Sequence, residues 1–307
     1  LPLLFGVGFF YKIVYVDRSE TEVRLVIERG QSITQIAQIL NEKEVISHPT
    51  IFKNIAHIYA IDHQYIKAGE YMFPRDITMS EVLDMLIDGD ILERRIVIIE
   101  GDTVKNIIKS INAQSDLKGK AVPHDIYVEG SFLPNTYYFS FRSTKKSFLD
   151  QISNRMDVAL KKEWEDRDKS IPLKNPEEAL ILASIVEKEA LLTREMPTIA
   201  SVYLNRIKQD MRLQADPTVI YGLSNGTGKL RRALTFKDLR KPSPYNTYIN
   251  YGLPPTPICN PSLSAIHAVM HPVETEFLFF VANANGGHWF AKSYKEHKSN
   301  IVRYKQA

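Results

Sequence analysis

One cysteine, Cys259, stands in the 307-residue chain, so no disulfide can form within it and redox chemistry says nothing about compartment. It lies between Ile258 and Asn260 in a proline-rich loop and reads as an inert thiol rather than a nucleophile. Paired cysteines and an HExxH run are both missing, and the eight histidines are scattered. That argues against a catalytic metal, so no metal site and no cofactor are expected. There is no GxSxG elbow and no P-loop, and Gly286-Gly287 is too short for a phosphate cradle and reads as a tight turn. Long basic runs are also lacking. The net charge of +3 is spread along the chain, and pairs such as Lys145-Lys146, Lys161-Lys162 and Arg231-Arg232 read as solvated faces, which argues against a nucleic-acid partner.

Acidic residues are absent from LPLLFGVGFFYKIVYV, residues 1–16, which turns polar at Asp17-Arg18-Ser19-Glu20. A membrane span needs ~20 apolar residues. The segment therefore reads as the outer end of a single N-terminal anchor; a signal-peptide remnant and an early buried strand are the other readings. On the anchor reading, everything after Asp17 faces one side of a membrane. Composition is that of a folded protein, 44% hydrophobic and 24% charged, and the length accommodates two domains.

An internal echo appears at an offset of 71 residues, where residues 25–33 match 96–104. Each copy reads as a strand, a glycine turn, a Ser or Thr cap and a helix whose apolar positions, 33, 36, 37, 40 and 104, 107, 108, 111, form one face. After the first copy come a helix from Pro49 to about Tyr59, a strand around Ile66–Phe73, and a helix Ser80–Ile87 capped by Ser80 and stopped by Gly89. This order, with Lys67-Ala68-Gly69-Glu70-Tyr71, resembles the LysM-like domain, a small glycan-binding fold. The expected plan is α+β: a partial anchor over 1–16, a LysM-like α/β domain over 17–92 and a larger mixed domain over 93–307. In the latter, a charged helix near Ser147–Arg167 precedes an apolar helix that starts at Asn175-Pro176 and a second at about Met196–Gln209. A loop from Leu223 to Asn260 and a terminal strand and turn, Phe277–Ala282 and 286–290, follow.

The helix that starts at Asn175-Pro176 carries the most chemistry. Asn175-Pro176-Glu177-Glu178 reads as its start, a cap, a first-turn proline and two carboxylates at the positive dipole end. Leu182, Ile185 and Val186 set an apolar face, and at ~100° per residue Glu189 falls next on it, while Glu187 points to roughly the opposite side. A carboxyl placed there is partly desolvated and its pKa rises, the condition for a general acid near neutral pH. The bland alternative is a rim residue or an ion-pair partner of Lys188 or Arg194. Asp216-Pro217 similarly reads as a local helix cap.

With metal, cysteine and phosphate chemistry set aside, carboxylate acid–base chemistry among aromatic and amide side chains remains. That inventory suits a polysaccharide, and the run Tyr245-Asn246-Thr247-Tyr248-Ile249-Asn250-Tyr251 supplies it densely. An ordinary glycosidase needs two carboxylates; only Glu189 has a persuasive setting, with Glu187 and Asp216 weaker.

Five ordered motifs, residues 183–189 (ASIVEKE), 201–206 (SVYLNR), 211–222 (MRLQADPTVIYG), 245–248 (YNTY) and 252–255 (GLPP), resemble those of the YceG/MltG family of endolytic murein transglycosylases. The likeness covers nearly the whole chain; Ala215 stands where Thr is common, and Thr256 and Cys259 vary the loop after the Pro-Pro pair. The resemblance implies lytic cleavage of the MurNAc–GlcNAc β-1,4 bond within peptidoglycan, leaving 1,6-anhydro-MurNAc ends and terminating new strands. It puts the catalytic glutamate on Glu189. Glu187, Gln214, Asp216, Asn246, Thr247 and Tyr248 are the expected supporting or substrate-binding residues. Expected partners are glycan strands, the membrane through the N-terminal segment, and peptidoglycan synthases, with the catalytic domain on the extracytoplasmic side of the cytoplasmic membrane. The rival readings are a non-catalytic glycan-binding scaffold of the cell-wall synthesis complex and a hydrolytic muramidase.

Overall fold

The computed structural model describes residues 2–141, 143–283 and 285–306. It is a mixed α+β chain with, among the described residues, three two-stranded sheets, and it divides into two compact units, Leu1–Arg95 with Tyr138–Ser143, and Ile96–Tyr137 with Thr144–Ala307. The first unit takes back a short later segment, Tyr138–Ser143.

The first unit opens with α1, Pro2–Tyr15, followed by β1 (Val23–Ile27), α2 (Ile33–Glu42), α3 (Pro49–Ile61), β2 (Gly69–Phe73) and α4 (Met79–Asp88). The strands pair antiparallel from Val23 opposite Phe73 to Ile27 opposite Gly69. Ser32 and Gln35 close a reciprocal capping box on α2, whose Ile36, Ala37 and Leu40 are buried as the sequence spacing predicts. The expected cap of α4 is displaced by two residues. Thr78, not Ser80, accepts from the Glu81 N–H, because Glu81 at the third helical position completes the box. Gly89 ends α4 in the left-handed conformation that glycine adopts without strain. Under this layer Glu70 is buried and paired with Arg24 at 2.6 Å and Arg94 at 2.7 Å. Of the segment read as an anchor, Leu1 lies outside the described residues. Ile13 and Val14 at the end of α1 join the first unit's core. Among the described residues no helix is long and apolar enough to cross a membrane.

β3 (Arg94–Ile98) and β4 (Asn135–Phe139) pair as another two-stranded sheet. The second unit holds α5 (Val104–Asn112), capped by Thr103 with the predicted buried face, then α6 (Lys145–Asp166), α7 (Pro176–Glu189), α8 (Met196–Lys208), α9 (Asp216–Leu223) and α10 (Leu263–Met270). An antiparallel hairpin of β5 (Phe279–Ala282) and β6 (His288–Ala291) and a last helix, α11 (Tyr294–Gln306), complete it. Helix α7 is the axis of this unit. Asn175 caps it, and all of Ala179–Val186 is buried against α6, α8, α9 and α10. A helix enclosed on all sides needs apolar residues all round, so the single-face reading understated its burial. The stretch between α9 and α10 is irregular apart from a turn at Asp238–Arg240.

Candidate active site

The buried run of α7 ends at Val186, and three residues on, Glu189 keeps part of its surface open while protein closes round the carboxyl group. Desolvation is the main cause that pushes its pKa up to about 7; the nearby Asp216 carboxylate adds to the rise. Two groups oppose it: the Tyr203 hydroxyl, which donates to Oε1 at 3.1 Å, and the more distant Arg206 guanidinium. The position at the negative end of the helix dipole also disfavours charge there. Its hydrogen-bond partner is therefore a neutral phenol, not the Lys188 or Arg194 considered from sequence.

Tyr203, only 2% exposed, sits on α8 with its ring against Phe280 of the hairpin in an edge-to-face contact. Its own pKa is driven upward by burial, so it stays a donor. One turn later Arg206 is also buried, its Nε bonded to the Leu278 carbonyl at 2.7 Å and an Nη to that of Leu213 at 2.7 Å. Arg206 thus ties α8 to β5 and to the segment entering α9.

That segment presents Gln214 and Asp216 outward and Leu213 and Ala215 inward. Gln214 holds a left-handed backbone, φ +52°, and its N–H reaches the Thr247 carbonyl at 3.1 Å. Asp216 does not cap α9. It is the first helical residue, Ala215 precedes it without a side-chain cap, and the Asp216 carboxylate instead accepts from the Tyr248 hydroxyl at 2.5 Å.

Asn246 and Thr247 are fully enclosed. Asn246 donates to the carbonyls of Leu239 and Lys241 and accepts from the Tyr248 N–H at 2.9 Å. Thr247 Oγ1 takes the Ala215 N–H at 3.0 Å and meets Thr218 Oγ1 at 2.9 Å. These two hold the loop and the start of α9, and so position Tyr248 and Asp216. Glu187 lies on another face: its Oε2 takes the N–H (2.9 Å) and the hydroxyl (2.6 Å) of Ser262, which caps α10.

Tyr203 and Arg206 were not singled out from sequence as parts of the acid's setting, although both lie in the 201–206 motif. The available signal was their helical spacing, which puts Tyr203 and Arg206 on neighbouring turns of α8. Glu129 is a second carboxyl of similar character. Burial raises its pKa to about 7 while it accepts from the Val104 N–H (2.8 Å) and the Tyr221 hydroxyl (3.1 Å). It borders a cavity of about 460 Å³ lined also by Tyr127, His124 and Tyr245. Cys259 is buried, its Sγ on the Ser184 carbonyl and its thiol pKa driven upward by burial, as expected of an unreactive thiol.

The surroundings of Glu189 hold an acid near neutrality, a fixed donor on one oxygen, and a carboxylate–phenol pair beside it. Such a set can give a proton to a leaving oxygen and take one back.

The model of the YceG-like family matches residues 25–303. An endolytic murein transglycosylase of Bacillus subtilis is 29% identical over 98% of this chain and 91% of its own length. One from Streptococcus pneumoniae serotype 2 is 26% identical over 99% of this chain, which spans 63% of that protein. The crystal structure of a YceG-like protein from Listeria monocytogenes matches with a TM-score of 0.52 at 30% identity, over 92% of this chain and 99% of that one.

Proposed function

The chain belongs to the YceG-like family, and from that premise we propose that it is an endolytic murein transglycosylase with Glu189 as its single catalytic acid and base. The observation that carries the assignment is a Glu189 carboxyl held near pKa 7 and hydrogen-bonded by Tyr203. At neutral pH about half of such groups carry a proton.

Protonated Glu189 donates to the bridging oxygen as the C1–O4 bond of a MurNAc–GlcNAc linkage breaks and C1 acquires oxocarbenium character. The substrate's N-acetyl oxygen stabilises that centre, in place of a second carboxylate. The Glu189 carboxylate then takes the proton of the C6 hydroxyl as O6 bonds to C1, which closes the 1,6-anhydro ring and restores the acid. No water is consumed. Tyr203 fixes the rotamer of Glu189, while Asp216 and Tyr248, with exposed Gln214, orient the sugars.

The first unit serves as a LysM-like glycan-binding module, supported by its strand–helix–helix–strand order and antiparallel pair. Residues 1–16 serve as the outer end of a membrane anchor, supported by their lack of acidic residues. The enzyme thereby works on the extracytoplasmic side, on strands leaving their synthases.

Incubation with purified glycan strands, read by product mass, tests the reading. Anhydro-ended fragments are expected from the wild type and from Glu187→Gln, and none from Glu189→Gln. Water-added ends would assign a muramidase, and no turnover by the wild type would assign a glycan-binding scaffold. An active Glu189→Gln beside a dead Glu187→Gln would move the acid to Glu187.

A further inference from the structure

Helices α6 and α10 pack together in the second unit and bring Glu163, His267 and His271 to one point on its surface. We propose that these three residues form a zinc site that staples the end of α6 to the end of α10. Their ligating atoms all lie within 4.8 Å of one another. His267 Nδ1 is 2.8 Å from Glu163 Oε2, and His271 Nε2 is 3.9 Å from the same oxygen. Around a tetrahedral zinc with bonds near 2.0–2.1 Å, ligand atoms stand about 3.3 Å apart. Small side-chain rotations therefore reach the coordinated arrangement.

The donor set is that of zinc: two imidazoles and a carboxylate, with His267 in the last turn of α10 and His271 the residue that follows the helix. Asp166 supplies a fourth ligand, since its Oδ2 is already 3.9 Å from His271 Nε2 and its side chain is free to swing, being 84% exposed. A second observation points to the same ligand. His271 Nε2 is buried and has no hydrogen-bond partner, although the Glu163 and Asp166 carboxylates each stand 3.9 Å from it. A buried nitrogen left unbonded is costly, and a metal ion satisfies it. The two imidazole rings lie 4.4 Å apart between centroids, close enough to share one ion. Access is open as well. Glu163 and His267 border a cavity of about 410 Å³ lined by Pro197, Leu263 and Ala268.

None of the three residues belongs to the set gathered around Glu189, so the staple acts on stability and leaves transglycosylation intact. Untagged full-length chain, stripped with chelator and dialysed, is titrated with Zn²⁺ and melted with and without it. One zinc per chain is expected, with a Tm rise on the order of 5 °C at zinc a hundredfold above Kd. Mg²⁺, which demands oxygen ligands, should give no rise. His271→Ala and Glu163→Gln should each weaken zinc binding at least tenfold without changing glycan cleavage measured in chelator. The proposal is overturned if the wild type takes up no stoichiometric zinc, or if a His267→Ala/His271→Ala variant binds it as tightly as the wild type.

Discussion

Glu189 gains its reactivity from an unfavourable position. Its pKa of about 7 stands above the ordinary 4.5 of a glutamate, chiefly because burial penalises the charged form. The acid must start protonated, so kcat/KM should fall as pH rises through about 7. Two substitutions should move that limb in opposite directions. Tyr203→Phe removes a hydrogen bond that favours the carboxylate, so the limb shifts alkaline, by up to about one unit for a bond worth ~1.4 kcal/mol. Asp216→Asn removes a repulsive charge, so the limb shifts acid. A pH–rate profile in which both variants move the same way would contradict the arrangement. Stability follows the same linkage with the sign reversed. Below pH 4.5 the group is neutral whether folded or unfolded; between 4.5 and 7 only the unfolded chain ionises freely, and above 7 the full cost is present. Glu189→Gln should therefore be more stable than the wild type at pH 8, by at most about 3 kcal/mol, and show no gain at pH 4; denaturant melts at both pH values measure it.

At the scale of elements, α7 was legible because its start signals are local: Asn175 caps and Pro176 follows. The phase argument also singled out Glu189, although the helix is enclosed all round rather than along one face. What sequence could not give is the pairing of distant segments. Asn246 and Thr247 looked like sugar ligands because amides and hydroxyls serve sugars and buried backbone equally well. In the fold they are committed to the carbonyls of Leu239 and Lys241 and to the N–H of Ala215. His267 and Glu163 are 104 positions apart, so their meeting has no sequence signature. Thr247→Val tests the bracing role. It strands the buried Ala215 N–H and should cost about 1–3 kcal/mol of stability. It should also lower kcat by loosening the turn that carries Asp216, while the pH limb stays near 7. Thr247→Ser, which keeps the oxygen, should restore both, and a kcat deficit persisting in Thr247→Ser would indicate that the methyl group, not the hydrogen bond, matters.

At the scale of the molecule, the two units have separate cores and opposite electrostatic habits. In the first, burial raises the Glu70 pKa but hydrogen bonds from Arg24 and Arg94 outweigh it, leaving the group below its usual value. Its stabilising effect is complete above pH 4.5 and is lost only as pH falls further. The second unit instead holds Glu129 and Glu189, both driven to about 7, and no described carboxyl of the first unit is driven so high. His297, whose pKa burial lowers, acts the other way below pH 6.5, so the clean window runs from 6.5 to 8. Across it the two carboxyls together should remove about 1.5 kcal/mol from the second unit and nothing from the first. Calorimetry should resolve two transitions, since each unit buries its own core. The larger should move down by a few degrees between pH 6.5 and 8 while the smaller holds still. In a Glu129→Gln/Glu189→Gln variant that movement should disappear. If the larger transition still falls by the same amount, the pH response belongs to other groups, and the second unit does not carry the cost of keeping its acid protonated.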